Sequence, residues 1–161
     1  MIGSIRQFLA DLTGTPEPRK FGEDDHRLAA AALLFHATAV DGSVSDEERT
    51  KLHELLKRRF GLDERDTDDL VAAAEAADSE AVDLYGFTSV LKRRLDEAER
   101  ERIVAMMWEL VFADGKVHEF EDNLIWRVAE LLGVSSQTRI RLKQAVRDKQ
   151  EAGSAGGATQ T

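Results

Sequence analysis

The chain has 161 residues, which is long enough for one domain with a hydrophobic core. Its 31 acidic and 22 basic residues leave a net charge of −9, which argues against a protein that works on the nucleic-acid backbone. It contains no cysteine, so disulfides, thiolate metal sites and thiol catalysis are excluded. No apolar run approaches the roughly 18–20 residues of a membrane span, and no signal-peptide core is present, so we expect a cytoplasmic protein.

The first 22 residues divide into a short helix and a linker. An amphipathic helix is predicted within residues 1–14, because apolar side chains recur there at helical spacing: Ile2, Ile5, Phe8, Leu9 and Leu12. The two prolines of the chain, Pro16 and Pro18, interrupt helical structure and predict a linker over residues 15–22. Three roles stay open for this helix: packing on the body of the protein, forming a homodimer, or touching a membrane surface, which no other segment is expected to do.

The body of the chain, residues 23–150, has the composition of helices throughout, rich in Ala, Leu, Glu, Arg and Lys. Seven helices are predicted, near residues 23–41, 46–60, 63–77, 80–95, 97–113, 119–132 and 136–150. Capping boxes begin two of them, with Ser45 followed by Glu48 and Asp96 followed by Glu99. Beyond them, residues 151–161 are rich in Gly and Ala and poor in large apolar side chains, which predicts a disordered tail.

Two of these segments are apolar on nearly every side, which is typical of central, buried helices. The first, residues 28–40, is interrupted only by His36 and Thr38 and is rich in alanine. The second, residues 103–113, is interrupted only by Glu109 and carries the bulk of Met106, Met107, Trp108 and Phe112. We therefore predict an all-α bundle of about seven helices whose core combines small residues on one helix with large residues on another.

Each central segment runs into the same short motif, Asp-Gly-x-Val-x-x-x-Glu. One copy extends from Asp41 to Glu48 and the other from Asp114 to Glu121, at an offset of 73 residues. Apolar residues before and after the motif also correspond, so the pattern predicts an internal pseudo-twofold repeat of a helix–loop–helix unit.

A hard cation would explain why an acidic residue follows a helix twice. Asp41 and Asp114 follow long helices, where the helix dipole disfavours a carboxylate by about 0.3–1 kcal/mol. Carboxylates and free backbone carbonyls are the ligands that Ca²⁺ and Mg²⁺ prefer, and Glu48 and Glu121 would add a carboxylate from the next helix. The predicted metal ligands are therefore Asp41, Glu48, Asp114 and Glu121, with Ca²⁺ or Mg²⁺ as the cation.

Plain turn and cap chemistry is the alternative interpretation of both loops. Asp-Gly is a common turn in which the Asp side chain bonds its own backbone, and Glu48 is explained as the partner of Ser45. An EF-hand is rejected, because the first half of its loop would fall on Ala37 and Ala39 in one copy, which carry no ligand oxygen. Lys116 would also neutralise the second loop without a metal, so the first loop is the better candidate.

No catalytic signature is present: the sequence has no serine–histidine–acid arrangement, P-loop or dinucleotide fingerprint, so we expect a protein without enzyme activity. Residues 63–69 hold five acids in seven positions. This run suits the start of a helix, and it would also form an acidic docking face for a basic protein partner.

The paired motifs resemble those of the TerB-like family of bacterial proteins. The likeness covers about residues 25–150 and depends on the two segments Val40 to Glu48 and Phe112 to Glu121. It implies a compact fold of about seven helices and metal binding by the acidic residues of the two loops. Members of this family occur in tellurite-resistance and stress-response systems and as modules attached to membrane-anchored J-domain co-chaperones. The resemblance thus implies a stress-response role through protein interaction, with a metal-independent scaffold as the alternative.

Overall fold

The regular structure of the chain is helical. A computed structural model describes residues 21–39, 44–113 and 119–158, with side chains described as far as residue 152. Seven helices lie in these ranges, which confirms the predicted all-α class. They are α1 (His26–Thr38), α2 (Asp46–Phe60), α3 (Glu64–Glu80), α4 (Tyr85–Arg94), α5 (Glu97–Phe112), α6 (Glu119–Leu131) and α7 (Ser136–Ala158). The predicted helix within residues 1–14 lies outside the described residues.

Helix starts follow the capping residues of the sequence. Asp96 forms the predicted capping box at α5, accepting from the Glu99 N–H at 2.8 Å while its own N–H donates to the Glu99 carboxylate at 3.4 Å. Ser45 caps α2 by accepting from the Glu48 N–H at 3.1 Å. The return bond from Glu48 is not formed, so this cap is half of the predicted box. Gly61 ends α2 with a φ of +61°, which glycine adopts without strain.

α7 continues to Ala158. The disordered tail predicted for residues 151–161 stays a prediction. Within the described ranges, no helix combines the length and apolar character needed to cross a bilayer.

Two helices form the centre of the bundle, as predicted. α1 packs against α2, α3, α4 and α5, and α5 packs against α1, α2, α6 and α7. The alanines of α1 from Ala29 to Ala32 are at most 2% exposed, and Met107 and Trp108 of α5 are fully buried. Small residues on one central helix therefore share a core with large residues on the other. The internal repeat is not confirmed and stays a prediction, because residues 40–43 and 114–118 lie outside the described ranges.

The placement of α3 and α4 leaves a trough on one side of α1. Both helices pack extensively on α1 but make little contact with each other. α3 and α4 therefore form two walls and α1 forms the floor between them. Residues 81–84, which connect the walls, include Val82, whose side chain is fully exposed.

Asp25→Asn is expected to lower the free energy of unfolding at pH 7 by about 1 kcal/mol. Asp25 caps α1 and accepts two bonds from the Arg27 guanidinium, at 2.7 and 3.1 Å. These bonds from Arg27 hold the pKa of the Asp25 carboxyl below its usual range. The carboxylate therefore stabilises the fold above the unfolded-state pKa of about 3.9, and this contribution is lost as the pH falls through the lower folded-state pKa.

Urea unfolding of both proteins from pH 2 to pH 7 measures this effect. Asparagine keeps a cap acceptor, so the difference isolates the charge. The matched control is Asp148→Asn, on an exposed position of α7, which is expected to change stability by less than about 0.5 kcal/mol. A difference at Asp25 that stayed constant down to pH 2 would contradict the assignment.

Candidate functional site

Two of the four predicted metal ligands lie in the described residues. Glu48 is the third residue of α2 and Glu121 the third residue of α6, and both side chains are half-buried. Within the described ranges, the carboxylate of Glu48 accepts no hydrogen bond and forms no ion pair. Asp41 and Asp114, the other two predicted ligands, lie outside the described residues. The structure thus shows equivalent helix positions for the two glutamates and leaves the grouping of all four ligands a prediction.

The acidic run at residues 63–69 is largely engaged within the chain. Asp63 caps α3 by accepting from the Asp66 N–H at 2.7 Å. Glu64 accepts from the Lys57 ammonium at 2.7 Å, and this bond lowers the pKa of the Glu64 carboxyl and raises the pKa of Lys57. Asp68 lies 2.7 Å from Nε2 of His53. The contacts of Glu64 and Asp68 join α2 to α3. The run therefore stabilises the fold, and fewer of its carboxylates can bind a partner than its composition implies.

The same α2–α3 junction groups three residues that the sequence analysis did not combine. Ligand atoms of His53, Glu54 and Glu64 lie within 4.8 Å of one another. Lys57 already occupies one oxygen of Glu64, and Nε2 of His53 already faces Asp68. Because Glu64 and His53 each have a partner already, the group is best described as a polar network between two helices.

The trough between α3 and α4 is an apolar groove of about 970 Å³. Leu28 and Ala29 of α1 form its floor, and Phe21 also lines it. The α3 wall presents one helical face of alanines: Ala72, Ala73, Ala76 and Ala77. The α4 wall presents Gly86, Phe87 and Val90. A groove of this shape between two helices is the form of site in which proteins bind the apolar face of a third helix.

The rim of the groove is acidic. Its charged residues are Glu23, Asp24, Asp69, Glu80 and Asp83, with Arg93 as the basic one. Asp24 is neutralised by ion pairs with Arg93 and Arg94. No basic side chain in the described part of the chain pairs with Glu23, Asp69 or Glu80. The rim therefore carries unneutralised negative charge around an apolar floor, and it favours an apolar ligand with basic flanks.

Sequence reasoning missed this groove although its signal was present. The alanines of α3 recur at helical spacing, which marks an apolar face. Periodicity does not reveal whether a neighbouring helix covers such a face. The gap between α3 and α4 became evident only from their separate packing on α1.

Comparison with known proteins relates the chain to one family and one fold. The sequence profile of the family described as tellurite resistance protein TerB matches residues 27–144, a range that includes both Asp-Gly loops. No curated protein matches the chain. Among solved structures, a protein of unknown function from Porphyromonas gingivalis W83 has a similar fold, with a TM-score of 0.58 at 16% sequence identity. The alignment covers 80% of this chain and 97% of that protein, and at this identity the likeness concerns the fold alone.

Proposed function

Because the chain belongs to the tellurite resistance protein TerB family, we propose that it is a non-enzymatic helical module that binds divalent cations through its two Asp-Gly-x-Val-x-x-x-Glu loops. The ligands are Asp41 and Glu48 in the first loop and Asp114 and Glu121 in the second. Their oxygens are the donors that Ca²⁺ and Mg²⁺ prefer. The module acts in stress response by docking onto other proteins.

The equivalent positions of Glu48 and Glu121 carry this proposal. Each is the third residue of the helix that follows an Asp-Gly loop. The carboxylate of Glu48 is half-buried and has no ion-pair partner in the described ranges, so a bound cation would neutralise it. Each loop offers only two side-chain carboxylates, which supports a weak affinity of about 10⁻⁴–10⁻³ M.

Thermal unfolding with and without divalent cations tests the proposal. A cation present at 100 times its dissociation constant stabilises the folded state by about 2.7 kcal/mol, which raises Tm by roughly 5–10 °C for a chain of this size. We expect this rise with Ca²⁺ or Mg²⁺ at tens of millimolar, and its reversal by chelator. Asp41→Asn is expected to remove the part of the rise in Tm that cation binding at the first loop contributes.

Two controls separate cation binding from general salt effects. A monovalent salt at the same ionic strength corrects for screening. Asp46→Asn lies five positions from Asp41 and removes an exposed charge that is not a predicted ligand, so it should keep the full rise in Tm. Equal responses of the two variants, or no rise beyond the salt control, would refute cation binding at the first loop.

A protein-interaction module that needs no metal is the second candidate. The acid-rimmed apolar groove between α3 and α4 supports it, because an amphipathic helix with basic flanks fits both its floor and its rim. In this case chelator and divalent cations leave Tm unchanged, so the same melts distinguish the two functions.

A further inference from the structure

The groove between α3 and α4 lies beside the point where the described chain begins. Phe21 is the first described residue, is only 3% exposed, and forms part of the groove lining. The 20 residues before it include the predicted amphipathic helix with its apolar side chains. A predicted apolar helix face therefore precedes, by a short stretch of sequence, an apolar groove that the described residues leave open.

We propose that residues 2–12 form a helix that fills this groove within the same chain. In this arrangement the helix lies on α1, the floor of the groove, and contacts both walls, α3 and α4. This inference does not depend on cation binding by the loops. It also means that any external helix must displace the chain's own segment before it reaches the groove.

The dimensions of the segment and of the groove agree. An eleven-residue helix is about 16 Å long, and the α3 wall from Asp69 to Glu80 extends over about the same length. The linker from Leu12 to Phe21 spans at most about 30 Å when extended, which is enough to let the helix turn back along the wall. The tether also keeps the helix at the groove at an effective concentration in the millimolar range.

Such a tether makes even a weak contact sufficient. A segment that would bind as a free peptide with a dissociation constant of about 0.1 mM is about nine-tenths docked at an effective concentration of about 1 mM. Burial of apolar side chains of the size of Ile5, Phe8 and Leu9 supplies the favourable free energy for such a contact.

The surfaces match in size and in charge. The alanine wall of α3 lets another helix approach closely, and the large residues of the segment fill the space above it. Arg6 flanks the apolar face of the predicted helix, and Arg19 and Lys20 precede Glu23 by a few residues. With Asp11 and Glu17 counted, residues 1–20 carry three basic and two acidic side chains. Docking of this segment would bring its excess of basic groups toward the unneutralised acids of the rim, which therefore favours it over a more acidic segment.

Paramagnetic broadening tests the placement in the full-length chain. The chain has no cysteine, so Q7C carries a spin label at a single site on the polar face of the predicted helix. We expect the amide signals of Ala72, Ala76 and Val90 in the groove to lose most of their intensity. The signal of Ala129, a buried residue of α6, should stay sharp. Sharp groove signals would overturn the proposal.

Two substitutions in the labelled segment provide the matched comparison. Phe8→Asp places a charge on the apolar face and is expected to weaken docking about 30-fold, equivalent to about 2 kcal/mol, so the docked fraction falls from about nine-tenths to about a quarter. Ala10→Asp adds the same charge on the polar face and should keep the broadening. Equal broadening in both variants would overturn docking by the apolar face.

The groove itself is tested by Ala76→Glu against Ala145→Glu. Ala76 is an exposed residue of the groove wall, and Ala145 is an exposed residue of α7. Only the first substitution should release the label from the groove.

A second experiment tests whether the segment docks within its own chain or on a second copy. It uses a mixed sample of spin-labelled chains without isotope enrichment and unlabelled chains with isotope enrichment. Groove broadening in that mixture would show that the segment comes from a second copy, and it would overturn docking within one chain.

Discussion

Trp108→Ala is expected to lower the free energy of unfolding by about 3–5 kcal/mol. Trp108 is fully buried in the middle of α5, one of the two central helices. Its ring centroid lies 5.8 Å from that of Phe112, and the Lys143 ammonium of α7 lies 5.0 Å from the ring. Removing the indole leaves a cavity at the junction of α5 and α7 and also removes a cation–π contact.

Urea unfolding followed by circular dichroism measures this loss. Trp126→Ala is the matched control, because Trp126 is the other tryptophan and is 43% exposed, so its removal should cost clearly less. Trp108→Phe should also cost less than the alanine variant. The indole Nε1 of Trp108 is buried without an acceptor in the described ranges, so phenylalanine removes an unpaired donor along with some volume. Equal losses for Trp108→Ala and Trp126→Ala would contradict the position of Trp108 in the core.

Ala30→Leu is expected to destabilise the protein by about 1–3 kcal/mol, although it adds apolar surface to the core. Ala30 is completely buried on α1, which is surrounded by α2, α3, α4 and α5. A leucine at this position has no free volume to enter, so it must adopt a strained rotamer or push a neighbouring helix away.

The control for this prediction is the same substitution on a helix surface. Ala145 is an exposed residue of α7, and Ala145→Leu should change the free energy of unfolding by less than about 0.5 kcal/mol. Thermal or urea unfolding of both variants gives the comparison. A neutral or stabilising Ala30→Leu would mean that the core has unfilled space beside α1, and the close packing described for this helix would then be incorrect.

Several features of the fold were predictable because their causes are local. The Asp96–Glu99 capping box involves two residues three positions apart, and both of its bonds are formed. Gly61 follows a helix and adopts the left-handed conformation that a helix end requires. The burial of α1 and α5 was also predictable, since a segment that is apolar on nearly every side has no face suited to water.

The candidate sites were predictable in part. The sequence located two similar acidic loops, and the structure adds that Glu48 and Glu121 hold equivalent positions at the starts of α2 and α6. The sequence did not indicate that Glu64 and Asp68 contact Lys57 and His53 of α2. Those partners lie on another helix, and a linear pattern does not report which charges face each other across two elements.

Amino-acid order alone thus set the helical class, most helix ends and the identity of the two central helices, because propensity, capping and apolar periodicity act over a few neighbouring residues. The groove depended on three-dimensional packing. The same alanine pattern on α3 would be buried if α4 packed against it, and it is open because α4 packs on α1 instead. Whether an apolar face is core or binding surface is a property of its neighbours in space, so the position of α4 decided it.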